Sequence, residues 1–146
     1  MNQSVFIVDD DPAVRDAVGL WLDCHGYHTL CFEDAMQFIQ QVTPTLSGCI
    51  IADIRMPGMD GLELQAKLNQ MGCQLPLIFI TGHGTVPMAV EAMRNGALDY
   101  LRKPVKEQQL LLKVKDAFAI DQAHSQRRLL ALTHQTQLNS LTNRER

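Results

Sequence analysis

The sequence repeats one pattern five times: a strand-length apolar run, then a longer segment with apolar residues at three-to-four spacing. The runs are Val5 to Val8, Tyr27 to Phe32, Cys49 to Ala52, Leu77 to Ile80 and Leu98 to Leu101. Most are rich enough in β-branched or aromatic residues to favour strands. Between them, sets such as Val14, Val18, Trp21, Leu22 and Leu62, Leu64, Ala66, Leu68, Met71 recur at helical spacing. Gly26, Pro44, Gly72 and Gly96 stand where such helices stop. Parallel strands need a crossover between them, and a helix supplies it along a right-handed path. The expected fold is therefore α/β: a doubly wound (βα)5 three-layer sandwich around a parallel five-stranded sheet of order 2-1-3-4-5.

A chain of 146 residues accommodates one such domain and a short appendage. It contains no apolar stretch of the roughly 18 residues that span a bilayer, and its first residues lack the basic-then-apolar layout of a signal peptide. A cytoplasmic protein without membrane contact is expected. The net charge of −3 is unevenly divided, with 9 basic and 14 acidic residues in 1–120 against 4 and 2 in 121–146. The main domain is acidic and unsuited to binding nucleic acid by itself. Cys24, Cys31, Cys49 and Cys73 form no C-x-x-C pair and are read as buried free thiols.

In open sheets of this kind ligands gather outside the carboxyl ends of the strands, at the switch point between strands 1 and 3. Strand 1 ends in Asp9, Asp10 and Asp11, within "VFIVDDDP". Adjacent like charges repel, so this cluster calls for a cation or another compensating group nearby. Asp11 precedes Pro12 and suits the cap of helix 1. Asp9 and Asp10 are left, and a hard ion such as Mg²⁺ or Mn²⁺ would take Asp10 and Asp53, with Asp9 acting mainly through water. Asp53 ends strand 3 in "CIIADIRMPGMDG" and is the nucleophile candidate, because a carboxylate accepts a phosphoryl group when a metal neutralises the transferring charge. Lys103, in "DYLRKP", is placed to hold phosphoryl oxygens, with Pro104 fixing the backbone beyond it and offering a bond that adopts cis at modest cost. Thr81, in "LIFITGHG", can bond a new phosphoryl oxygen. His83 has no second histidine or cysteine near it in sequence and is read as an ordinary loop residue. Tyr100 is either a packed strand aromatic or, at the rim, a ring that swings between buried and exposed.

Together "FIVDDDP", "IIADIRMPGMDG", "ITGHG" and "DYLRKP" resemble the receiver domain of two-component response regulators, and "HGTVPMAVEAMRNGALDYLRKP" resembles its FixJ-type branch. The resemblance covers residues 4 to about 120. It implies a flavodoxin-like, CheY-like domain in which Asp9 and Asp10 are the acid pair, Asp53 the phosphorylated residue and the backbone carbonyl of Arg55 a third protein ligand of Mg²⁺. It further implies Thr81 as the switch hydroxyl, Lys103 as the phosphate-binding lysine and Tyr100 as the switch aromatic. The implied partner is a sensor histidine kinase. The implied response is a change in the face of helix 4, strand 5 and helix 5, which forms a homodimer on phosphorylation. Val90 and Arg94 are the candidate contacts there. Such a domain assists its own phosphorylation and dephosphorylation and is not otherwise an enzyme.

No glycine or proline occurs after Pro104, so helix 5 can be long. Its stripe of Leu111, Val114 and Phe118 runs out at "DQAHSQRR", read as the end of the packed domain and the start of a solvated linker. The division expected is a receiver over 1–120, a helical linker over 121–138 and the beginning of an output domain over 139–146. In "SLTNRER", Thr142 and Glu145 have capping-box spacing, and the string resembles the first helix of a LuxR-type helix-turn-helix, cut off as it starts. DNA would be bound only through that missing domain, in a transcription regulator. Two other readings compete. A haloacid dehalogenase-like phosphohydrolase would use Asp9 as nucleophile in the D-x-D of Asp9 and Asp11, although Asp11 before Pro12 and the lack of a cap insertion count against it. A receiver-shaped interaction module without phosphotransfer would not need the intact acidic, hydroxyl and lysine set.

Overall fold

The computed structural model describes residues 3–82 and 84–124. His83, most of the expected linker and the expected start of the output domain lie outside the described residues. Along the chain run β1 (Ser4–Val8), α1 (Pro12–Cys24), β2 (His28–Phe32), α2 (Ala35–Ile39), β3 (Gly48–Asp53), α3 (Gly61–Gln70), β4 (Leu77–Thr81), α4 (Val86–Arg94) and β5 (Asp99–Arg102). A fifth helix, α5, occupies 107–124. All four strand pairings are parallel, in the order β2-β1-β3-β4-β5. This is the expected CheY-like doubly wound sandwich. Tyr27 is not part of β2, because its N–H closes the end of α1 on the Leu22 carbonyl at 3.0 Å.

Strand alternation sorts the core into two layers. Phe6, Val8, Ile50, Ala52 and Phe79 face α2, α3 and α4, where Phe38, Leu64, Leu68 and Ala92 meet them. Val5, Ile7, Ile51, Ile78 and Ile80 face α1 and α5, against Val18, Leu22, Leu110 and Val114. With both faces covered, β1, β3 and β4 are buried along their whole length. β2 is an edge strand and stays half exposed. That corrects the reading of the cysteines: Cys49 is buried and Cys73 half-buried, but Cys31 on the edge strand and Cys24 at the end of α1 are exposed. An apolar run does not say whether its strand lies at the centre of a sheet or at its border.

Local signals hold the helices in register with the rim. Asp11 caps α1 by accepting from the Ala13 N–H, with Pro12 opening the helix. Asp60 and Glu63 form a capping box on α3, and Thr85 caps α4 through the Met88 N–H. The other end of α4 is tied to α3: Gln65 Nε2 donates to the Ala92 carbonyl at 2.9 Å and Asn69 Nδ2 to the Asn95 carbonyl at 3.2 Å.

The packed face of α5 continues past its apolar stripe. Asp121, the first residue of "DQAHSQRR", is fully buried, and its Oδ2 accepts from Ser47 Oγ at 2.6 Å and the Gly48 N–H at 2.9 Å. Gly48 has φ +127°, and a Cβ there would sit 1.7 Å from the Ser4 carbonyl oxygen, so the approach requires glycine. Asp121 thus fastens α5 beneath the amino ends of β1 and β3. Replacing Asp121 by alanine leaves two buried donors without an acceptor, and should lower unfolding stability by about 2 kcal/mol, measured as the shift in urea midpoint.

Candidate functional site

The strand register builds the site. Val8 pairs with Ala52, so Asp9 and Asp53 emerge side by side from β1 and β3, and Thr81 pairs with Arg102, which brings Lys103 to the same rim. Asp9 is fully buried and Asp53 nearly so, while Asp10 is exposed. Lys103 Nζ bridges the two buried carboxylates, 2.9 Å from Asp9 Oδ2 and 3.0 Å from Asp53 Oδ2. The remaining oxygens bond the backbone: Asp9 Oδ1 accepts from the Asp11 N–H at 2.9 Å, and Asp53 Oδ1 from the Arg55 N–H at 3.2 Å. The bond between Lys103 and Pro104 is cis.

Burial pushes the Asp9 carboxyl above its ordinary value; the Asp11 N–H and the Lys103 ammonium oppose it, and the charge of Asp53 adds to it. For Lys103, burial works against the ammonium, but its bonds to Asp9 and Asp53 outweigh that and raise its pKa. A carboxylate oxygen from each of Asp9, Asp10 and Asp53 lies within 4.8 Å of the others. This hard, anionic, all-oxygen donor set fits Mg²⁺ or Mn²⁺ and not a metal that prefers nitrogen or sulfur.

Thr81 is buried at the last position of β4, and its carbonyl accepts from the Lys103 N–H at 2.9 Å. Tyr100 lies inward, half-buried, and its hydroxyl is buried without a hydrogen-bond partner among the described residues. Gly84 makes that orientation available. A Cβ on Gly84 would fall 1.4 Å from the Tyr100 hydroxyl and 2.7 Å from Thr81 Cγ2. Burial, partly offset by Arg102, raises the Tyr100 pKa. Val90 and Arg94 lie exposed one turn apart on α4, away from the acidic rim, and Val86 and Met93 extend an exposed apolar strip on the same helix.

Two site residues escaped the sequence reading. Arg15 Nη1 donates to the Asp9 carbonyl oxygen at 2.6 Å; the only hint was a cation in the first turns of a helix whose start Asp11 and Pro12 had fixed. Gly84 shows in the sequence only as one of the two glycines of "TGHG" and gives no sign of the space Tyr100 fills.

An acidic, lysine-bridged pocket at the carboxyl ends of β1, β3 and β5 defines a phosphate-handling α/β domain. The chain belongs to the response regulator receiver domain family, whose model matches residues 5–115. It is 35% identical over 142 residues to the transcriptional regulatory protein FixJ of Bradyrhizobium diazoefficiens, covering 97% of this chain and 69% of that protein. To the response regulator protein TmoT of Ectopseudomonas mendocina it is 43% identical over 116 residues, 80% of this chain and 53% of that one. The chain therefore spans about two-thirds of the first of these relatives and about half of the second. Among solved structures, response regulator StyR superposes with TM-score 0.86 at 37% identity over 98% of this chain and 70% of that one. FixJ-N does so with TM-score 0.74 at 36% identity, over 82% and 95%. The hydrolase reading finds no support. Asp9, its nucleophile, is buried with both oxygens engaged, and Asp11 is occupied by the cap of α1.

Because the Asp9 pKa is raised by folding, ionising it removes stability as pH climbs from the ordinary value of 3.8 through the folded value, and the loss persists at pH 7. In EDTA at pH 7, Asp9→Asn should melt a few degrees above the unsubstituted protein, with the gap closing as pH falls toward 3.8; calorimetry over a pH series checks both. Gly84→Ala should expel the Tyr100 ring. In a Tyr27→Phe background, the phenolate titration followed by absorbance should then move down toward the ordinary tyrosine value of about 10.

Proposed function

We propose that this chain is the phosphorylation-controlled switch of a cytoplasmic two-component transcription regulator, with Asp53 as the phospho-acceptor. The observation that carries the reading is the ammonium of Lys103 held 3.0 Å from Asp53 and 2.9 Å from Asp9 at the sheet's carboxyl rim. A positive charge held beside a carboxylate supports this reading, because phosphoryl transfer to an oxygen nucleophile is stabilised by such a pairing.

An Asp53 oxygen attacks the phosphorus of a kinase phosphohistidine in line. The P–O bond to Asp53 forms as the P–N bond breaks, and the imidazole leaves with the electron pair. Asp10, Asp53 and the carbonyl of Arg55 would hold Mg²⁺ or Mn²⁺, with Asp9 acting through bound water; when present, the ion neutralises charge on the transferring group. Lys103 binds an equatorial phosphoryl oxygen, exchanging one carboxylate partner for the phosphoryl group. The Thr81 hydroxyl then donates to another phosphoryl oxygen, and Tyr100 follows into the space Thr81 leaves. The face of α4, β5 and α5 changes in consequence, and a homodimer forms there through contacts that include Val90 and Arg94. A sensor histidine kinase is the donor. The receiver, extended at least to the buried Asp121, controls through the linker that follows it, up to 138, a DNA-binding helix-turn-helix domain that begins at 139–146. The domain assists its own phosphorylation and dephosphorylation and turns over no separate substrate.

Intact-protein mass spectrometry after incubation with Mg²⁺ and acetyl phosphate tests the reading. One added phosphoryl group is expected, absent in EDTA and in Asp53→Asn, and formed on the order of 100-fold more slowly in Lys103→Met. Labelling that survives Asp53→Asn, or no adduct under any condition, would overturn it.

A further inference from the structure

Asp10 is the exposed member of the acidic set, and among the described residues its carboxylate makes no hydrogen bond. What aims it must therefore act through its backbone. The peptide group before Asp10 ends in the Asp9 carbonyl, which accepts from Arg15 Nη1 at 2.6 Å. The peptide group after it carries the Asp11 N–H, which donates to Asp9 Oδ1 at 2.9 Å. Each peptide group is planar, so fixing the two that flank a residue fixes its φ and ψ. The side chain of Asp10 is then left only its own two torsions to order.

We propose that Arg15 is the positioning residue for the metal-binding carboxylate of Asp10, acting through the Asp9–Asp10 peptide and not through its charge. The proposal rests on the metal reading given above. Its first support is geometry: among the described residues Arg15 reaches a main-chain carbonyl oxygen and no carboxylate, and its bond is short for a charge-assisted one. Its second is the anchoring of Arg15 itself. Its own N–H bonds the Asp11 carbonyl at 3.2 Å in the first turn of α1, so the guanidinium is carried on a helix whose start is pinned by the Asp11 cap. The Asp9 N–H meanwhile donates to the Phe32 carbonyl at 3.2 Å at the end of β2. Without Arg15, the segment keeps that tie and the Asp11 tie but loses the one that holds the peptide on the amino side of Asp10.

The two roles a cation can play beside a metal site have opposite signs. A cation that acts only by charge repels Mg²⁺, so its removal tightens binding; one that aims a ligand weakens binding when removed. ¹⁵N-labelled protein titrated with MgCl₂, followed at the amides of Asp10, Asp11 and Asp53, separates them without reference to phosphorylation. Arg15→Gln should raise the Mg²⁺ Kd on the order of 10-fold, and Arg15→Lys, which keeps a donor and the charge, should recover part of the loss. Spectra in EDTA show whether each variant is folded, and Arg15→Lys carries the test alone if Arg15→Gln is not: a Kd equal to that of the unsubstituted protein, with the Asp10 and Asp11 amides unmoved, then counts against positioning. An unchanged or tighter Kd in Arg15→Gln overturns the role of Arg15. No saturable shift in the unsubstituted protein would instead overturn the metal reading beneath it.

Discussion

Two carboxylates driven side by side out of a buried parallel sheet are untenable without a counter-charge, and Lys103 supplies it. Asp9 and Asp53 are placed by the β1–β3 register and cannot separate without breaking the centre of the sheet. The ammonium between them, at 2.9 and 3.0 Å, therefore offsets part of their mutual repulsion as well as forming part of the site. Three carboxylates, Asp9, Asp10 and Asp53, gather there against the one ammonium of Lys103. Their excess negative charge suits the rim to a further cation.

The rest of the rim is organised around this triad. Backbone N–H groups of Asp11 and Arg55 occupy the carboxylate oxygens that Lys103 does not, so the lone pairs of the buried acids are directed and not merely screened. Thr81 and Lys103 are linked through the backbone at the end of β4. Tyr100 closes the adjoining space over Gly84. A change of occupant beside Asp53 thus meets Lys103 first, then Thr81, whose carbonyl the Lys103 N–H bonds, with Tyr100 and Thr81 both lying over Gly84.

Those parts of the fold that depend on local order were legible in the sequence. Asp53 and Thr81 stand where apolar runs turn polar, and the Asp11-Pro12 cap and the helix stops at Gly26, Gly72 and Gly96 are written in neighbouring residues, whereas α2 ends at Ile39, well before the expected stop at Pro44. What depends on residues far apart in the chain was not. That Lys103 bridges Asp9 and Asp53 joins positions 94 and 50 apart; composition and spacing could nominate the ammonium but not its partners. The exposure of Cys31 follows from β2 lying at the border of the sheet, which the string "HTLCF" does not encode. Asp121 reads as the start of a solvated segment until Ser47 and Gly48 are brought beneath it. Gly84 looks like a flexible turn until Tyr100 fills its missing side chain.

The ties from Gln65 and Asn69 join the last turn of α4 to α3, while its first turn is closed by its own cap, Thr85. Nine helical residues span about 13 Å, so Val86, Val90 and Arg94 stand at graded distances from the α3 anchor. A partner that covers the exposed strip of Val86, Val90 and Met93 therefore meets the apolar end farthest from that anchor and the basic end, Arg94, beside it.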